Sequence, residues 1–106
     1  VEAAEWPAIE AARKGADPHR TVDGEDTSAR SPDVARQWLK AYTELLELET
    51  DLLTLLAERL PRMSAEARQE AEDTNLPVIV SQLQRFRHRM EFWRKRRDKL
   101  EQPLSD

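Results

Sequence analysis

The sequence contains no cysteine. That absence excludes a disulfide scaffold, thiolate catalysis and zinc sites built on cysteine. Its two glycines, Gly15 and Gly24, stand isolated, so no glycine-rich phosphate loop exists. Two glycines and six prolines are also too few for an all-β protein with many tight turns. No stretch approaches the ~18 consecutive apolar residues of a membrane span. Val1 to Glu5 carry neither the basic nor the apolar region of a signal peptide. The expected setting is therefore cytoplasmic, with no membrane partner.

What the sequence has is charge, arranged unevenly. Residues 1–75 hold nine Lys and Arg against seventeen Asp and Glu, whereas residues 76–102 hold eight against three. An acidic front and a basic back favour either pairing between the two parts or a basic surface for an anionic partner.

Three segments follow from pattern. Residues 1–31 form a short helix and a polar linker. In the helix Trp6, Ile9 and Ala12 recur at three-residue spacing, Pro7 fits the first turn and Gly15 ends it. Residues 16–31 have no apolar period and read as a loop or linker. Residues 32–102 form the main domain, and residues 103–106 are a tail.

Ser31-Pro32-Asp33 is a helix start: Ser31 caps, Pro32 takes the first position, and Asp33 favours the positive end of the dipole. The helix runs to about Leu60, where Pro61 stops it. Inside it Val34, Trp38, Ala41, Leu45, Leu48, Leu52 and Leu55 form a heptad seam. A second stripe, Ala35, Leu39, Tyr42, Leu46, Leu53, Leu56 and Leu60, lies beside it, broken only by Glu49. The combined apolar arc, roughly 160° wide, is broader than one partner helix covers. Ser64 caps a short, mostly exposed helix that ends near Asn75; Pro77 either opens a new helix after a break, the preferred reading, or kinks one long helix. A last helix spans 76–102 on the stripe Leu76, Ile79, Leu83, Phe86, Met90, Trp93 and Leu100. The flank Glu44, Asp51, Glu58 is expected to face Arg87, Arg89, Arg94 and Arg96 across an antiparallel pair.

No constellation carries chemistry. His19 and His88 have no sequence-local partner at ligand spacing. Glu70, Glu72 and Asp73 lack the glycine and alternating oxygen ligands of a calcium loop. The basic run from Arg85 to Lys99 has three readings. It is a solvated face paired with the acidic helix, a phosphate-contacting surface with Phe92 or Trp93 as a stacking face, or a surface for an acidic protein. The stretch Leu52 to Arg59 resembles the first helix of the all-helical chorismate mutases, in which an Arg at the place of Arg59 helps hold the substrate's carboxylates. The resemblance spans about eight residues, and the family's other two cation positions fall on Tyr42 and Glu70. A reaction on a dianion needs several converging cations, so the resemblance does not imply an enzyme here.

The expected fold is all-α. It is an antiparallel hairpin of two long helices with shorter N-terminal and connecting helices, a three- to four-helix bundle completed by dimerisation. The expected function is a non-catalytic protein–protein interaction module (adaptor, scaffold or regulatory subunit) that buries a broad apolar face against a second copy or a different protein. Trp38, Tyr42, Leu46, Leu53 and Leu56 are the expected anchors, and Arg89, Arg94 and Arg96 the steering charges. The alternative is a nucleic-acid-associated regulator working through the basic last helix. No cofactor, metal or small-molecule substrate is indicated.

Overall fold

A computed structural model describes residues 17–102. The helix expected over residues 3–14 and the tail at 103–106 lie outside the described residues. The described chain is all-helical apart from its first turns, with two long helices.

Helix α1 spans Pro32–Arg59. It starts where the capping chemistry directs it: Val34 N–H donates to Ser31 Oγ at 3.4 Å, and Ala35 N–H to Ser31 O at 3.1 Å. A 3-10 turn, Leu60–Arg62, follows. Ser64 then caps α2, Ala65–Glu70, accepting from Ala67 N–H at 3.2 Å.

The expected break at Pro77 does not occur. Asn75 and Leu76 keep right-handed helical angles, and the chain passes from α2 through a π turn, Ala71–Asn75, into α3, Leu76–Glu101. The Leu76 N–H reaches back five residues to Ala71 O. The extra residue widens the turn ahead of Pro77, whose ring would otherwise press on the preceding carbonyls and whose missing N–H leaves one of them unpaired. A π turn thus keeps one continuous helical path where a regular α-helix would kink or stop.

The two long helices run antiparallel. Arg36 at the start of α1 pairs with Glu101 at the end of α3. Thr43 Oγ1 lies 3.6 Å from Met90 Sδ, and Gln82 Nε2 donates to Glu49 Oε1 at 3.1 Å. Ala35, Tyr42 and Glu49, seven residues apart, are the buried line of α1. Phe86 and Trp93, also seven apart, are their counterparts on α3. Ala35, Tyr42, Phe86 and Trp93 make one core, flanked by Trp38, Leu39, Leu45, Leu46, Met90, Phe92 and Leu100.

Residues 17–31 are not a featureless linker. They fold as three successive turns closed by Arg20 N–H to Asp17 O, Glu25 N–H to Val22 O and Ala29 N–H to Asp26 O. Gly24, at the third position of the middle turn, has φ +88°, a left-handed value that glycine adopts without a side-chain clash. The turns lie in the groove between α1 and α3, with Val22 and Ala29 packed on the core.

Candidate functional site

The molecule has two contrasting ends. At the base, where the helices meet the N-terminal turns, polar groups are buried and paired except for Arg85 Nε and Arg89 Nε, which have no hydrogen-bond partner among the described residues. At the far end, apolar side chains are left open.

The base is organised around Glu25. Its side chain is fully buried. One carboxylate oxygen accepts from Tyr42 Oη–H and from Val22 N–H at 3.0 Å. The other accepts from Arg89 Nη2 at 2.5 Å and Trp93 Nε1 at 2.6 Å. Burial alone raises a carboxyl pKa, but the donors Tyr42, Arg89, Trp93 and Val22 outweigh it, and Glu25 sits below the ordinary glutamate value. The same site pushes the Tyr42 hydroxyl up, first through burial and then through its bond to Glu25, so Tyr42 stays a donor. One acid from the N-terminal turns therefore binds both long helices.

Other cations of α3 are drawn into the same docking. Arg96 Nη1 donates to Thr27 O at 3.0 Å and Ala29 O at 2.8 Å. Arg85 is buried; it donates to Arg20 O at 3.4 Å and to Gln82 Oε1 at 3.1 Å. Arg89 and Arg96 also lie over the Phe92 ring, 4.6 and 5.1 Å from its centroid. His19 and His88, far apart in sequence, meet edge to face with ring centroids 5.3 Å apart. No group of three metal-ligating side chains forms among the described residues.

Past Glu49 and Gln82 the groove is unfilled. An open cleft of about 480 Å³ is lined by Glu49, Leu52, Thr74, Asn75, Val78, Ile79 and Gln82. Beside it Leu48, Leu52 and Leu55 are 53%, 40% and 42% exposed, and Val80 is 38% exposed. Glu49, buried at the boundary, has its pKa raised by desolvation, against a smaller pull from Arg85.

These positions rearrange the expected site. Tyr42 and Arg89, expected to meet a partner, are internal: Tyr42 is in the core and Arg89 is locked to Glu25. They are buried because the second stripe of α1 faces α3 and the N-terminal turns. Trp38, Leu46, Leu53 and Leu56 are half-buried, Trp38 with its ring centroid 6.4 Å from that of Tyr42. Arg94 is held by Glu91 and Asp98 on its own helix, and Arg96 by backbone carbonyls. The expected pairing of Glu44, Asp51 and Glu58 with the basic flank of α3 is absent: none of the three forms an ion pair among the described residues. Arg59 is exposed in the last turn of α1 and does not line the cleft. The open leucines belong to the heptad seam, so their periodicity was visible, but not which stripe the N-terminal turns would leave uncovered. Glu25 gives no periodic signal. No family model, curated protein or solved structure matches the chain closely enough to show kinship.

Proposed function

We propose that this chain is a non-catalytic protein–protein interaction module, an adaptor, scaffold or regulatory subunit. It acts by covering the open end of the α1–α3 groove with a helix from another polypeptide. The observation that carries the reading is the exposed row Leu48, Leu52 and Leu55, at four- and three-residue spacing, beside an apolar cleft walled by Val78 and Ile79. Completing the burial of three half-exposed leucines supplies on the order of 3 kcal/mol. Association itself costs more than that, so a productive partner also fills the cleft. A helix laid along it, from a second copy completing a four-helix bundle or from a different protein, does both.

The nucleic-acid reading has less support. Arg85, Arg89, Arg94 and Arg96 are engaged by the chain's own carbonyls and carboxylates. Phe92 lies under Arg89 and Arg96 rather than offering an open stacking face.

The test is the pair Leu48→Ser and Leu55→Ser in the full chain. Both side chains are exposed, so helicity and melting temperature should persist while association, with itself or with a helical partner, is lost. Undiminished association by the double variant would remove the seam as the interface.

A further inference from the structure

The open seam has an acidic border. Glu44, Asp51 and Glu58 recur every seven residues along α1, next to Leu48 and Leu55 on the helical wheel and on the side turned away from α3. At about 1.5 Å per residue they stand about 10 Å apart along the axis. All three are exposed, and none has an ion-pair partner among the described residues. The surroundings add to the field. From Glu44 to Asn75 the chain carries nine acids against three arginines, and those arginines, Arg59, Arg62 and Arg68, stand at or beyond the last turn of α1.

Resting on the interaction-module reading, we infer that the occupant of this groove is a basic amphipathic helix of a different protein. Its apolar face, repeating every three and four residues, fills the cleft against Leu48, Leu52 and Leu55. Its flank, with Lys or Arg about every seven residues, lies along Glu44, Asp51 and Glu58. Complementary charge beside an apolar seam sets both partner choice and orientation.

Charge decides against the two other occupants. A two-fold axis places a surface opposite itself. An antiparallel pairing of two copies through this seam therefore sets the acid ridge of one against that of the other, an arrangement that repels. Of the basic stretch of a second copy, Arg85, Arg89 and Arg96 are already bound within that copy, and the exposed Arg87, Lys95 and Lys99 stand on α3, not on the α1 face that this pairing sets opposite the ridge. Residues 1–16 carry Glu2, Glu5 and Glu10 against Arg13 and Lys14, and so bring no net positive charge.

The experiment uses the full chain and two labelled synthetic helices. Each has three heptads with leucine at the seam positions; one has lysine on its flanks, the other glutamate. Fluorescence anisotropy at low salt should show the lysine helix binding at least about tenfold more tightly than its twin, and the difference should shrink as salt rises. The triple variant Glu44→Lys, Asp51→Lys, Glu58→Lys should reverse the preference. Equal binding of both peptides, lost with Leu48→Ser and Leu55→Ser, would overturn the charge inference while leaving the interaction module intact. Binding of neither peptide, with concentration-dependent self-association that the serine pair abolishes, would replace the basic helix by a second copy. NMR contacts between the Trp6 indole and the Leu52 methyls in the unliganded chain would replace it by the chain's own N-terminal residues. Binding of neither, with a monomer at all concentrations and no such contacts, would sink both readings.

Discussion

Glu25 and Arg89 form a buried ion pair across 64 residues of sequence, with the Glu25 side chain fully enclosed and Arg89 only 5% exposed. A pair so enclosed fixes the N-terminal turns against both long helices, because the same carboxylate also takes the Tyr42 hydroxyl and the Trp93 indole. Removing one partner leaves the other charge stranded, which costs about 3–5 kcal/mol. Glu25→Gln should lower stability by that order in chemical denaturation and strip protection from the amides of residues 20–29. A variant within about 0.5 kcal/mol of the parent would mean that the pair does not hold the base together.

The pH response follows from the same site. The folded pKa of Glu25 is below its ordinary 4.5, so its contribution is fully present above that value. It is lost as pH falls through the lower folded value. The parent chain should lose stability in that acid window, whereas Glu25→Gln should respond less steeply there. Parallel pH–stability curves for the two proteins would contradict this.

Glu49 has the opposite sign. Desolvation raises its pKa, so the ionised form is disfavoured by folding, and stability falls as pH rises from the ordinary value through the raised one. Glu49→Gln keeps an acceptor for the Gln82 amide and removes the buried charge. It should melt a few degrees higher than the parent at neutral pH, and the gain should vanish in acid. A lower melting temperature at pH 7 would show that the attraction of Arg85 outweighs the burial of Glu49.

Gly24 sits at φ +88° with no atom within 4 Å of the place a Cβ would occupy. Gly24→Ala is therefore strained by backbone conformation alone, by about 1–2 kcal/mol. Gly24→Asn should cost less, since asparagine tolerates this region better. Equal stability of the three proteins would show that the turn does not need glycine.

The long helices were legible because their signals are local. The three-four recurrence of Trp38, Leu45 and Leu52, or of Phe86, Met90 and Trp93, needs no tertiary information. Ser31 and Ser64 mark starts by a hydrogen bond within one turn. Pro77 misled because sequence alone does not distinguish a break from a π turn that absorbs the ring. The N-terminal turns were illegible for a different reason. Their hold on the helices comes from one acid and from backbone carbonyls at Arg20, Thr27 and Ala29, none of which forms a periodic pattern. That same docking decides the surface. It encloses Tyr42 and Arg89 and stops at the level of Glu49, leaving Leu48, Leu52 and Leu55 open. Two apolar stripes of similar strength could not be ranked until the third packing element was placed.

Methyl NMR of the full chain, titrated with the lysine-flanked helix, is the most direct measurement. Resonances of Leu48, Leu52, Leu55, Val78 and Ile79 should shift together and saturate, while those of Ala35 in the core and Leu39 beside it remain in place. Shifts centred on the Tyr42–Trp93 core, or none at the open leucines, would contradict an interaction face at the far end of the groove.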